Sequence, residues 1–310
     1  MFLTVTPNSA IDQVIFIERF VPTGVMRTSR YTRSVGGKGM DIALVLRTFE
    51  VDLLAAGIVA GRAGEELDRM LEAERIPHDL VWAEGETRTA HVIVETDYNR
   101  HSHITTGAVV VQDAHLAELS RRCQARLNAG DWMLCAGTLP TGAPADYYAS
   151  LIALANERGC ASLIDTSGAP MRAALSVRPT IVKLNRHEFA DTFGQPETAF
   201  DGLVEQAQQV YTQHNLRALV ITCGEDGLLA ITPAGRFRAA APPQTAVNAA
   251  GAGDAASAAI AVCLSRGDSW PEALTWAAAA GAATVLTDGT AECHLADVVR
   301  LQPAVTVEPC

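Results

Sequence analysis

From about residue 110 onward, short apolar runs alternate with helical patterns, and few folds accept that order. Trp132–Ala136, Ala161–Asp165, Thr180–Leu184 and Ala218–Thr222 read as strands. The stretches Gln112–Leu127, Pro144–Arg158, Ala169–Ser176 and Val204–His214 between them have helical periodicity, with Asp113 the expected N-cap of the first. This pattern predicts an α/β fold, a mostly parallel central sheet with helices on both faces. Phe2–Thr6 and Leu53–Val59 read as further strands, and Lys38–Phe49 and Glu65–Glu74 as helices. A hairpin over Leu228–Ala239 and two long Ala-rich helices are expected to complete the chain.

Residues 10–34 and 88–107 break the alternation. They are short, polar and β-branched, with strand-like Val14–Ile17 and His91–Glu95 and no intervening helices. Two such excursions predict a small β-sheet lid over one end of the main sheet. No linker rich in Pro, Gly or Ser divides the 310 residues, so one domain over 1–310 is expected.

Composition narrows the partners. A net charge of −11 argues against a protein that gains affinity by neutralising many phosphates, so neither nucleic acid nor an anionic membrane is an expected partner. The longest apolar stretch, Ala273–Leu286, is shorter than the ~18–20 residues that span a bilayer. The seven cysteines form no CxxC pair and sit mostly in apolar segments, which fits reduced thiols in the cytoplasm. No basic segment leads into an apolar one at the amino terminus, so no signal peptide is expected.

In an open parallel sheet, ligands bind beyond the carboxyl ends of the strands, so the strand-to-helix turns carry the chemistry. Val247–Asp254, with Gly251 and Gly253, runs directly into an apolar helix. Its glycines let backbone N–H groups converge where the helix N-terminus adds positive potential, forming an anion hole. Asp254 beside that hole could cap the helix. It could equally take a proton from a hydroxyl as a phosphoryl group is transferred to it. Gly36-Gly37-Lys38-Gly39 opens the first long helix; it matches neither the P-loop nor GxGxxG, and loop geometry alone could explain it. Lysine occurs only at positions 38 and 183, and Lys183 ends a strand where ligands bind. Asn185 and Glu188 follow, either as a ligand pair or as a capping box. Ile221–Gly227 is a fourth strand entering a glycine turn, with Thr222 and Gly224.

Taken together and in order, these segments resemble the PfkB-type, ribokinase-like carbohydrate kinases, in particular the branch of 1-phosphofructokinases and tagatose-6-phosphate kinases. The resemblance is carried by TPNSAID at 6–12, GGKG at 36–39, TR at 87–88, AGTLPTG at 136–142 and DTSG at 165–168. It continues through KLNRHE at 183–188, TCGEDG at 222–227, NAAGAGD at 248–254 and AAGAATVLTDGT at 279–290. It implies transfer of the γ-phosphoryl of ATP, with Mg²⁺, to a sugar hydroxyl; separately, the otherwise unprotected strand edges of the two lid segments predict a homodimer formed through the lid. The resemblance implies Asp254 as catalytic base, with Gly251, Ala252 and Gly253 as anion hole. Asp12, Gly37 and Lys38 would hold sugar hydroxyls, and Arg27, Lys38 and Arg88 would receive a phosphate already on the sugar. Thr138 stands where the branch often has serine. Lys183, Thr222, Gly224 and Gly227 would lie along the nucleotide, while Asn185 and Glu188 would organise Mg²⁺ through water.

Three positions depart from that pattern. Asp41 stands where the family carries Asn, Ala90 replaces an Asn of the lid, and Ser102–Thr105 replaces a Thr-Glu-Ile-Asn-like segment. Asn both donates and accepts, whereas ionised Asp only accepts and repels a phosphate. The transfer machinery is intact and the substrate-facing positions are altered. A kinase of an unphosphorylated sugar or nucleoside, and a non-catalytic sugar-binding relative, therefore stay open beside the sugar-phosphate kinase. A nicotinamide dehydrogenase does not, because no GxGxxG follows the first strand.

Overall fold

The computed structural model describes residues 1–98, 100–107 and 109–310. The strands in chain order are β1 (Phe2–Thr6), β2 (Ala10–Ile17), β3 (Tyr31–Gly36), β4 (Leu53–Val59), β5 (His78–Trp82), β6 (Glu84–Gly85), β7 (Arg88–Glu95) and β8 (Arg100–Thr106). They continue as β9 (Val109–Val110), β10 (Trp132–Ala136), β11 (Ala161–Asp165), β12 (Ile181–Asn185), β13 (Leu219–Thr222), β14 (Leu228–Thr232), β15 (Gly235–Ala240) and β16 (Thr306–Pro309). The first helices are α1 (Lys38–Thr48), α2 (Gly61–Ala73), α3 (Asp113–Arg126), α4 (Tyr147–Glu157) and α5 (Gly168–Leu175). The rest are α6 (Arg186–Phe193), α7 (Phe200–Gln213), α8 (Ala252–Ser265), α9 (Trp270–Thr284) and α10 (Leu295–Leu301).

Ten strands form one sheet in the order β16-β15-β14-β13-β12-β11-β10-β1-β4-β5. It is parallel from β5 to β13 and antiparallel at β14, β15 and β16. Side chains of a strand alternate between faces, and the two apolar cores follow that period. Trp132, Leu134 and Ala136 of β10 join the core under α1, α2, α8, α9 and α10, while Met133 and Cys135 join the one under α3–α7. The expected α/β sheet with helices on both faces is therefore present. Among the described residues no helix is long and apolar enough to cross a membrane.

Local boundaries differ where capping decides them. Helix α3 is capped by Gln112 rather than Asp113; the His115 N–H donates to the Gln112 backbone carbonyl at 3.0 Å, and the Gln112 N–H donates to His115 Nδ1 at 3.1 Å. The chain does not end on its Ala-rich pair either. After α8 and α9, α10 packs on the same core through Val298 and Leu301, and β16 pairs antiparallel with β15. The small residues of that helix pair permit close approach: an added Cβ on Gly281 of α9 would meet the Ala252 carbonyl oxygen at 3.3 Å. This packing fixes the first turn of α8 against α9.

A second sheet has the order β3-β2-β7-β8, with β2 parallel to β7 and the outer strands antiparallel. Val14, Phe16, Val92 and Val94 on its inner face pack against Val247 and Ala250, beside the turn into α8. Asp12 shares that inner face through the two-residue period, and its register partner on β7 is Ala90. The side of the sheet remote from the core and the adjoining hairpin leave Phe20, Val21, Val25, Tyr31 and Ile104 exposed. Asn99, within the second expected lid segment, lies outside the described residues.

Candidate active site

Strand alternation and register build the first part of the site. Leu163, Ile181 and Val220 face the α8 side of the main sheet, so Asp165, Lys183 and Thr222, two residues on, face it too. Asp165 and Lys183 are register partners, and the Lys183 ammonium donates to Asp165 Oδ2 at 2.6 Å. Lys38, the first residue of α1, reaches across the strand ends to Asp165 Oδ1 and Glu188 Oε1, each at 2.7 Å. Both lysines of the protein thus converge on one fully buried carboxylate. Burial alone would raise the Asp165 acid, but Lys183 and Lys38 hold it below the usual carboxylate range. Burial likewise works against charged Lys38, yet Asp165, Glu188 and Asp254 keep its ammonium above the ordinary lysine value.

The turn into α8 supplies the second part. Gly251 is the N-cap with φ 85°, a left-handed conformation that glycine adopts without strain. An added Cβ there would overlap the backbone of Ala291, which cannot yield. Gly253 lies so close to Lys183 that an added Cβ would stand 2.8 Å from its ammonium. The N–H groups of Asp254 and Ala255 fold back on the Gly251 carbonyl at 3.0 and 2.9 Å. No backbone carbonyl among the described residues accepts from Gly253 N–H, which is left for an anion at the helix N-terminus. The turn lies over the Lys183 ammonium, a second source of positive charge.

Asp254 does not cap its helix. It is the third helical residue, 8% exposed, and its Oδ1 is buried without a hydrogen-bond partner. Burial and the nearby Asp165 push its acid up to about 7, against the pull of Lys183 and Lys38. A carboxyl poised near neutrality with one oxygen unengaged has the attributes of a general base.

The third part joins α1 to the small sheet. Asp12 packs against Gly36, where any Cβ would overlap its carboxyl group, so the glycine turn shapes a wall of the site. Burial raises the Asp12 acid to about 6 despite the opposing pull of Arg88. Asp41 is 4% exposed, and burial, Asp12 and Asp254 together raise its acid well above the usual range. Arg88 donates through Nε to the Asn8 carbonyl at 3.2 Å, and the Asn8 side chain donates to Thr138 Oγ1 at 3.1 Å. Gly37, with φ 92°, is the N-cap of α1 that presents Lys38 and Asp41 to this space.

Not every expected residue joins the cluster. Arg27 is exposed in the hairpin between β2 and β3, beyond the Ile15–Tyr31 end of their pairing, whereas Asp12 lies toward the opposite end. Asn185 and Glu188 form the capping box: the Glu188 N–H donates to Asn185 Oδ1 at 2.8 Å and the Asn185 N–H to Glu188 Oε2 at 2.9 Å. With Oε1 on Lys38, both oxygens of Glu188 are engaged. Among the described residues no three His, Cys, Asp or Glu side chains form a metal-binding group. Hard oxygen donors that are already hydrogen-bonded suit a Mg²⁺ ion that keeps its waters, and not a fully ligated one. Thr222 ends β13, with Oγ1 3.9 Å from where a Cβ on Gly253 would stand. Gly224 and Gly227 form the following turn with φ 60° and 87°, and an added Cβ on Gly227 would overlap the Ala239 carbonyl.

Two members of the site were absent from the expected set. Asp165 lay within DTSG, but its partners depend on the register of β11 with β12 and on the placing of the start of α1 over the strand ends. Asn8 lay within TPNSAID, and its bridge between Arg88 and Thr138 depends on the meeting of three distant segments.

Residues 5–297 match the model of the pfkB family carbohydrate kinases. The chain is 33% identical to a 1-phosphofructokinase of Xanthomonas campestris over 84% of its own length and 83% of the relative's. It is 28% identical to a D-tagatose-1-phosphate kinase of Bacillus licheniformis, over 99% of both chains. Its fold superposes on phosphofructokinase-2 from Escherichia coli, solved in complex with substrates and products, with a TM-score of 0.90 over 97% of this chain and 98% of that one, at 23% identity.

Proposed function

The chain belongs to the pfkB family of carbohydrate kinases, and on that premise we propose that it phosphorylates a hydroxyl of a ketose phosphate at the expense of ATP. The observation that carries the chemistry is Asp254, buried at the N-terminus of α8 with an unpartnered oxygen beside the Gly251–Gly253 turn. In this reading the acceptor hydroxyl lies between Asp254 and Asp12, and Asp254 takes its proton as the phosphoryl group arrives. The Gly253 N–H and the two lysines face the phosphoryl oxygens, where preorganised donors act without reorganisation. Thr222, Gly224 and Gly227 line the nucleotide side. Asn185 and Glu188 would hold Mg²⁺ through water, and the ion would supply charge neutralisation.

Substrate class rests on Arg88. Its guanidinium faces Asp12 and Asp41, a position from which it can also receive a phosphate on the sugar. The exposure of Arg27 favours a second reading, a kinase of an unphosphorylated sugar, because it leaves one arginine fewer for that phosphate. A coupled kinase assay over fructose 1-phosphate, fructose 6-phosphate, tagatose 6-phosphate, fructose, ribose and adenosine decides between them. Charge-assisted hydrogen bonds contribute about 1.5–3 kcal/mol, so Arg88→Ala is expected to raise KM for sugar phosphates by roughly 10- to 150-fold. Equal loss on free sugars excludes a phosphate contact.

The small sheet is the lid of this proposal. Its exposed Phe20, Val21, Val25, Tyr31 and Ile104 suit pairing with the same surface of a second subunit. Sedimentation at micromolar concentration is expected to show a dimer, and monomer alone refutes the pairing. Seven free cysteines, six of them buried, suit the reducing cytoplasm as the place of work.

A further inference from the structure

Asp41 occupies the first turn of α1 at the wall of the sugar side, and its Oδ1 is buried with no hydrogen-bond partner. The groups that face it come from four elements. Asp12 projects from β2, Asp254 from α8 and Arg88 from β7, with Lys38 on its own helix. Lys38 is committed to Asp165 and Glu188. Asp254 is drawn by Lys183 and Lys38, which leaves Arg88 as the main cation for both Asp12 and Asp41, and carboxyls so crowded cannot all ionise. The helix N-terminus favours an ionised Asp41, but by the equivalent of no more than about 1.5 pH units.

The burden falls unevenly. Asp254 must be ionised to act as base, and Arg88 is the strongest charge acting on Asp12. For Asp41 burial comes first, then repulsion by Asp12 and by Asp254, ahead of any attraction. A protonated carboxyl offers one O–H donor and one carbonyl acceptor, the same kind of repertoire that an Asn amide would bring to this position.

We propose that Asp41 works as a neutral acid, donating its O–H to a sugar hydroxyl and accepting through its carbonyl, so that alkaline pH weakens sugar binding. The proposal rests on the reading of the site as a sugar kinase. It removes the conflict between Asp41 and a phosphorylated sugar, because a neutral acid does not repel the phosphate. It also makes Asp41 a specificity residue whose selectivity is set by its proton.

Infrared difference spectra of the free protein at about pH 7 test the proton without any substrate. Asp41→Asn is expected to remove a protonated-carboxyl C=O stretch; loss of carboxylate bands alone overturns the proposal. Asp12→Asn supplies a second variant: with the neighbouring charge removed, the same band should bleach at lower pH than in the wild type. In kcat/KM profiles on the best sugar of the panel, the wild type should lose up to tenfold per pH unit on an alkaline limb that Asp41→Asn flattens. An unchanged limb in the variant overturns the role. Thermal unfolding follows the same sign. A folded-state acid with a raised value contributes stability that is complete below its unfolded value and fades as pH rises through the folded one, so Asp41→Asn should gain on the wild type with rising pH. If no sugar is turned over while the infrared band is present, the kinase reading fails and the neutral acid stands. If the band is absent and sugars are turned over, the reverse holds.

Discussion

Replacing Asp254 by Asn is expected to lower kcat by about 10²–10⁴ while nucleotide still binds, the range typical of losing a proton-transfer group. The substitution keeps the size of the side chain and its place in the first turn of α8, so the Gly251–Gly253 backbone remains as it is. What it removes is the unpartnered Oδ1 as a site for the hydroxyl proton. The wild-type profile should show the same group. Burial and Asp165 raise the Asp254 acid to about 7, so the ionised fraction, and with it kcat/KM, should fall as pH drops below about 7. A variant with near-normal turnover on its best substrate, and normal affinity for ATP by calorimetry, would sink the assignment of Asp254 as base.

The order of strands and helices was legible because apolar period and turn residues are local signals. The parallel strands of the second half, the helices between them and the turn into α8 appear close to where the pattern put them. Legibility failed where partners are distant. Strand β16 is a short, largely exposed segment held extended by its pairing with β15, with Val307 packed on the core. The cap of α3 moved by one residue because His115 closes a reciprocal pair of hydrogen bonds with Gln112, which competes successfully with Asp113.

The site divides in the same way. Gly251, Gly253 and Asp254 were visible as one contiguous turn, since backbone freedom and helix-end potential are encoded side by side. Asn185 and Glu188 left two readings open, and the structure realises the capping box while adding Lys38 to the same glutamate. Lys38 was expected among sugar groups. Its reach to β11 and α6 follows from the height of α1 above the strand ends, which no spacing in GGKG states. Arg27 was grouped with Arg88 on the family resemblance, and chain geometry separates them.

Asp165 is where that nonlocal information has its largest energetic consequence. It is fully buried, and each of its oxygens accepts from one lysine. Removing one member of such a group leaves a desolvated charge without its partner, which typically costs about 3–5 kcal/mol. Lys183, 4% exposed in its side chain, has no water to turn to, whereas Lys38 at 29% retains Glu188. Asp165→Asn is therefore expected to lose about 3–5 kcal/mol in denaturant unfolding at neutral pH, with Lys183 carrying most of the loss. Asp165→Asn combined with Lys183→Met separates charge from packing, since an apolar pair of similar volume should recover much of that stability. The pH dependence has a fixed sign. The folded-state acid of Asp165 lies below its unfolded value, so its stabilisation is present above about pH 4 and is lost as pH falls through the folded value. The gap between wild type and Asp165→Asn should accordingly be full at neutrality and shrink in acid. A gap under about 1 kcal/mol at neutral pH, no larger than an exposed ion pair gives, would show that the two lysines do not depend on this carboxylate. A double variant no more stable than the single one would place the loss in packing instead of charge.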